Sequence, residues 1–219
     1  MISAINCFEL LFAYLLGSLP SAVWIGKFFY GIDVREYGSG NAGATNTFRV
    51  LGKKAGIPVL IIDILKGWAS VNLAVFSQYD LGSEQFINFQ LVLGVAALMG
   101  HVFPVFSAFR GGKGIATLLG IILAVHPKAA MISVIVFLII FLLSNYVSLG
   151  SIIASITFPI IVIEVYQTKT PSLIIFSLVI ALLVLLTHQK NIGRLLRRQE
   201  TKTKLYKKTN SPLFKNEQN

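Results

Sequence analysis

The chain has 219 residues, 55% of them hydrophobic and 13% charged, with a mean hydropathy of +0.74. A soluble domain of this length cannot hide that much apolar surface, so composition excludes that class and points to a multi-span helical membrane protein. The formal charge of +10 does not imply nucleic acid: nine of the 19 Lys and Arg residues lie after His188, where a basic tail behind an apolar run is a topology signal and a contact for anionic lipid.

No Lys or Arg precedes the first apolar run, residues 5–30. We therefore expect a retained helix rather than a cleavable signal peptide. The single cysteine, Cys7, excludes an internal disulfide and a cysteine metal cage. Further spans are expected over 55–76, 86–109, 115–125, 128–145, 151–166 and 172–187. The fourth is short. Merged with the fifth across His126-Pro127 it would leave six crossings. With seven crossings and the N-terminus outside, sixteen of the Lys and Arg residues collect on the cytoplasmic side and only Lys128 and Lys169 on the other, with Lys66 inside a span. Six crossings would put the basic tail opposite the first two basic loops, so the positive-inside rule selects seven. The tail beyond about Lys202 is expected to be disordered.

Three polar stretches then converge on the cytoplasmic face. The first, "GSGNAGATNTFR" from Gly38 to Arg49, contains a literal G-x-G-x-x-G. A dinucleotide turn needs a preceding strand and a βαβ unit, and here a membrane helix precedes it. Ser39, Asn41, Thr45, Asn46 and Arg49 stand among Gly38, Gly40 and Gly43, a pattern whose backbone N–H groups can converge on an anion. The second, "GHVFPVFSAFRGGKGIAT", runs from Gly100 to Thr117. Arg110 and Lys113 lie among Gly111, Gly112 and Gly114, just before a helix N-terminus that favours negative charge. The third, "HQKNIGRL", starts at His188, and His188, Asn191 and Arg194 share one face if the helix continues. Asp63 and Lys66, three apart within the second span, and His101 in the third are buried ionisable groups and hence further candidates.

Together, "GSGNAGATNTFRVLG", "DILKG", "GHVFPVFSAFRGGKGIAT" and "HQKNIGRL", in this order and spacing, resemble the bacterial membrane-bound glycerol-3-phosphate acyltransferases that use acyl phosphate as donor. The family pattern has an arginine near "SNYVSLGS", where this chain carries Asn145, and Ser148 and Ser151 stand beside it as further candidates. The resemblance implies an all-α integral membrane protein of seven transmembrane helices. Residues 1–187 would form the catalytic domain, and 188–219 a cytoplasmic juxtamembrane segment and basic tail. It implies acyl transfer to the 1-hydroxyl of sn-glycerol 3-phosphate, giving lysophosphatidic acid and inorganic phosphate, the first step of phospholipid synthesis, at the cytoplasmic face of the bacterial inner membrane. No metal or cofactor is implied. The expected partners are acyl phosphate, sn-glycerol 3-phosphate, membrane lipid and, transiently, a soluble enzyme that produces the acyl phosphate.

Carried onto this chain, the resemblance assigns catalytic roles to Ser39, Lys113, His188 and Asn191. It assigns substrate or phosphate binding to Gly40, Asn41, Gly43, Thr45, Asn46, Arg49, Arg110, Gly111, Gly112, Gly114 and Thr117. The residues suit such chemistry independently. Both substrates carry phosphate, for which arginine offers a fork and lysine a point charge. An acyl phosphate is already activated, so positioning and charge stabilisation can replace a strong protein nucleophile. The His-x4-Asp of soluble-domain acyltransferases is absent, since Phe106, Met131 and Gly193 stand five beyond the three histidines. A transporter of an organic phosphate is the main alternative. Against it, all three motifs lie on one face and no inverted repeat is visible. A lipid-binding scaffold would leave the glycine-rich loops unexplained.

Overall fold

The computed structural model describes residues 4–203; the tail expected to be disordered lies almost wholly outside the described residues. Every regular element among those residues is helical. The α-helices are α1 (Ala4–Gly17), α2 (Ser21–Tyr30), α3 (Ala44–Leu51), α4 (Lys53–Asn72), α5 (Glu84–Val102), α6 (Ile115–Val125), α7 (Pro127–Ser144), α8 (Val147–Ile160), α9 (Pro171–Thr187) and α10 (Gln189–Leu196). Four segments are long and apolar enough to cross a membrane: Lys53–Phe76, Glu84–Ser107, Pro127–Ser144 and Val147–Val165. Two bent pairs, α1 with α2 at 44° and α9 with α10 at 60°, bring that number to six if each is one span. The outer surface suits lipid, carrying exposed Phe8, Phe28, Phe29 and Leu143.

The first apolar run is thus broken rather than continuous, and the break has a cause in α4. Pro20, which cannot donate a backbone hydrogen bond, precedes α2. Lys66 Nζ donates to Leu19 O at 2.8 Å and pairs with Asp63 Oδ1 at 2.9 Å, while Ser21 Oγ donates to Asp63 Oδ1 at 2.8 Å. The ammonium meets the carbonyl end of α1 and the carboxylate meets the amide end of α2, each complementing a helix dipole. Both charges are buried. Removing either would strand the other in a low-dielectric interior.

Small residues let the spans approach closely. A Cβ at Gly120 would lie 1.9 Å from Ile64 O, and one at Gly67 2.1 Å from Thr117 O, so α4 and α6 cross nearly backbone to backbone. α6 has only 11 residues, about 16 Å of rise. His126 ends it in non-helical backbone and caps α7, whose first residue is Pro127. The two are therefore separate helices, joined in one core with α8 and α9 through Ile121, Ala129, Phe158 and Val184. Past Pro159, α8 widens into a π-turn over Ile161–Val165.

α3 is amphipathic. Ala44, Thr47, Val50 and Leu51 are buried and Thr45 is exposed, as a helix packed on one side requires. Phe48 anchors it on α4 at Gly56, where a Cβ would lie 2.4 Å from the ring. This packing suspends the first glycine-rich loop between α2 and α3.

Candidate functional site

Asn46, in the first turn of α3, organises the first loop from within. It is 1% exposed. Its Oδ1 accepts Ser39 N–H at 2.8 Å and the Ser39 hydroxyl at 3.1 Å; its Nδ2 donates to Val34 O at 2.8 Å and Tyr37 O at 3.1 Å. All four of its hydrogen-bonding capacities are therefore filled inside the loop. Gly38 and Gly40 have φ of 62° and 72°, which a side chain would resist. Ser39, Gly40 and Thr45 are exposed, Asn41, Gly43 and Arg49 half-buried. Among the described residues, no side chain caps the N-terminus of α3.

Arg35, which sequence reasoning passed over, ties the first loop to the second. Asp33 receives it through Nε at 3.0 Å and Nη2 at 2.7 Å, while Nη1 donates to Ser107 O at 3.0 Å and Arg110 O at 3.2 Å. The hydrogen bond from Arg35 leads the influences that hold the Asp33 carboxyl far below the usual range, against its partial burial.

In the second loop the glycines serve close packing as well as turning. Gly111 N–H donates to Val102 O and Gly112 N–H to His101 O, both at 3.2 Å, so these two amides are already partnered. A Cβ at Gly111 would lie 1.9 Å from His101 O. Gly114, at φ 78°, starts α6. Arg110 is exposed, Lys113 half-buried. Thr117 is fully buried, with Oγ1 3.0 Å from His101 Nδ1.

Lys113 Nζ donates to Asn191 Oδ1, which brings the second stretch onto the third. From Asn191 the network passes to Glu200. Asn191 Nδ2 donates to its Oε1 at 2.7 Å, Arg194 Nε to its Oε2 at 2.6 Å, and Ser148 Oγ to its Oε1 at 3.0 Å. Glu200 was not a candidate from sequence. It reaches the site because the chain turns back after α10, where Thr203 N–H donates to Asn145 O at 2.9 Å. Its "RRQET" context carries no local signal for that return. Ser151 is buried one turn along α8 from Ser148.

Charge is concentrated here. Burial, then the positive charge of Arg194, lowers Lys113 to about 8; Glu200 pulls it back up and Arg49 lowers it further. Burial also lowers Arg49. Burial works to raise Glu200, but the hydrogen bonds from Arg194, Asn191 and Ser148 prevail and leave it below the usual carboxyl value. His188 is buried beyond the end of α9, with Nδ1 2.9 Å from Val184 O. A carbonyl can only accept, so Nδ1 carries the proton and Nε2 of the neutral ring is bare. Among the described residues, no group of three His, Cys, Asp or Glu side chains could hold a metal. The arrangement is a half-buried cationic cluster joined by polar side chains, suited to binding phosphate groups and to stabilising negative charge that develops there.

The family model for glycerol-3-phosphate acyltransferase matches residues 7–198. The chain is 43% identical over 201 residues to the glycerol-3-phosphate acyltransferase of Fusobacterium nucleatum, covering 92% of this chain and 99% of that protein. It is 45% identical over 194 residues to that of Listeria monocytogenes, covering 89% and 94%. Among solved structures it is similar to PlsY, an integral membrane glycerol 3-phosphate acyltransferase. The glycerol 3-phosphate form gives a TM-score of 0.81 at 40% identity, over 91% of this chain and 96% of that one. The lysophosphatidic acid form gives 0.78 at 38%, over 91% and 95%.

Proposed function

This chain belongs to the glycerol-3-phosphate acyltransferase family, and we propose that it moves a fatty acyl group from acyl phosphate to the 1-hydroxyl of sn-glycerol 3-phosphate. It is an integral membrane acyltransferase, all-helical in fold. In the proposed reaction the hydroxyl oxygen attacks the acyl carbon, the carbon–oxygen bond to phosphate breaks, and lysophosphatidic acid and inorganic phosphate leave. The observation that carries the reading is the convergence of Lys113, Asn191, Arg194 and Arg49 around one half-buried site. A dianionic acceptor and a dianionic donor both need cationic partners, and this cluster, with the exposed Arg110, supplies them.

Lys113 is proposed to hold the phosphate of glycerol 3-phosphate as a point charge, with Asn191 aiming its ammonium. Ser39, kept in place by Asn46, is a hydrogen-bond donor at the mouth of the site rather than a nucleophile. His188 presents the bare Nε2 that can take the hydroxyl proton as the new ester forms. The Gly111 and Gly112 amides, partnered to α5, shape the loop instead of binding phosphate. We place the reaction at the cytoplasmic face of the bacterial inner membrane, with seven crossings that include α6, on the distribution of basic residues. The test is direct: purified protein in lipid, given acyl phosphate and labelled glycerol 3-phosphate, should yield labelled lysophosphatidate and stoichiometric phosphate. Equal rates with acyl-CoA would refute the proposed donor.

A further inference from the structure

His101 lies in the last turn of α5, 5% exposed, and no step above uses it. It nevertheless meets three other elements. Its carbonyl oxygen accepts Gly112 N–H at 3.2 Å. Its ring lies so near Gly112 that a Cβ there would be 2.4 Å from Nε2. Its Nδ1 is 3.0 Å from Thr117 Oγ1, in the first turn of α6, and 3.8 Å from Asp63 Oδ1 of α4. Lys113 falls between two points, residues 112 and 117, that one imidazole holds. The first loop rests on the same place: a Cβ at Gly112 would lie 3.1 Å from Ala42 O. Between Ala42, Gly111, Lys66 and His101 only a cavity of about 10 Å³ remains. In so closely filled a junction neither loop can shift alone.

We propose that His101 is a positioning residue for the acyl transfer, whose ring and carbonyl fix the Lys113 turn against α6 and the first loop and thereby set the affinity for glycerol 3-phosphate without touching it. The inference rests on the phosphate-binding role proposed for Lys113. Its physical basis is the crowding of that lysine. Lys113 is held partly out of water near two other cations, Arg194 and Arg49. A lysine whose loop is loose would swing its strongly hydrated ammonium outward, and a point-charge contact weakens with distance. A histidine that merely fills space would be replaceable by leucine with no selective effect on one substrate.

The experiment compares His101→Leu, His101→Asn and Thr117→Val in lipid. It reads KM for each substrate, kcat, calorimetric binding of glycerol 3-phosphate, and the thermal midpoint. Asparagine sets an amide where the ring Nδ1 stands and can keep the Thr117 bond; leucine cannot. Thr117→Val removes the other end of that bond with little change of shape, which guards against failure of the leucine variant to fold. Loss of one such hydrogen bond predicts about a tenfold rise in KM and Kd for glycerol 3-phosphate in the leucine and valine variants. Their KM for acyl phosphate should hold and kcat should change far less. His101→Asn should stay within about twofold to threefold of the parent. Parental affinity in Thr117→Val, or an asparagine variant as impaired as leucine, would overturn the proposal. If the parent protein binds glycerol 3-phosphate but does not acylate it from acyl phosphate, the proposed donor fails, while the binding constants still decide the role of His101.

Discussion

Lys113 should give the enzyme an alkaline limb in a pH range where lysines do not ordinarily titrate. Its value of about 8 lies below the usual 10.5, first because the ammonium is partly buried and then because Arg194 and Arg49 repel it, against the pull of Glu200. The sign follows directly. A lysine with a lowered value is charged below pH 8 and loses its charge as pH rises through it, so phosphate affinity should fall on the alkaline side. About a tenth of the free enzyme keeps the charge one unit above that value, so kcat/KM for glycerol 3-phosphate should drop roughly tenfold per pH unit from there. A bound phosphate dianion beside Nζ raises the value, so the limb in kcat should lie at higher pH than the limb in kcat/KM. Neighbouring charges supply two controls. Glu200→Gln removes an upward pull and should move the limb to lower pH; Arg194→Met should move it up. Lys113→Arg separates charge from shape. Its guanidinium does not titrate here, yet its planar head does not replace a compact ammonium between Gly112 and Gly114. Losing a charge-assisted contact of about 1.5–3 kcal/mol predicts a drop of roughly ten- to a hundredfold in kcat/KM, with insertion intact. Initial rates over pH 6–10 in lipid measure all of this. A flat profile to pH 9.5, or full activity in Lys113→Arg with both Michaelis constants unchanged, would refute the assignment of Lys113 to phosphate.

For the proposed topology, cysteines at Ser83 and Gln199 should be labelled from opposite sides of intact cells; labelling from one side would sink the seven-crossing arrangement. Among the described residues, Ser39 pairs with Asn46 and not with a base, so donor alone should leave no acylated Ser39 peptide in mass spectra, and trapping one would show a covalent route. Asn46→Asp turns two donors into acceptors facing Val34 O and Tyr37 O. Losing both bonds and setting a buried carboxylate oxygen against two carbonyl oxygens costs at least about 1–3 kcal/mol, so the thermal midpoint should fall sharply and activity with it; an unshifted midpoint would contradict the central place of Asn46 in the loop.

Local chemistry in the sequence determined the class of protein and the residues of its loops. Apolar runs near membrane length mark spans whatever surrounds them, because in lipid a helix satisfies its own backbone groups. Glycine, asparagine and lysine clustered between such runs are the pattern from which an anion site is expected, for equally local reasons. Tertiary structure decided which of those groups are free to act. The Gly111 and Gly112 amides looked available for phosphate, but they face α5 carbonyls. Asn46 stands among the expected phosphate ligands, and the carbonyls of Val34 and Tyr37, brought against it by the fold of the loop, take up its amide. The break in the first helix depends on Asp63 and Lys66, more than forty residues away. Glu200 stood in an ordinary basic tail until the chain turned back and set it beside Ser148, Asn191 and Arg194. A hydrogen-bonding group carries its capacity in the sequence, but its partner is whatever folding brings within 3 Å, and contacts between distant segments leave no periodicity to read.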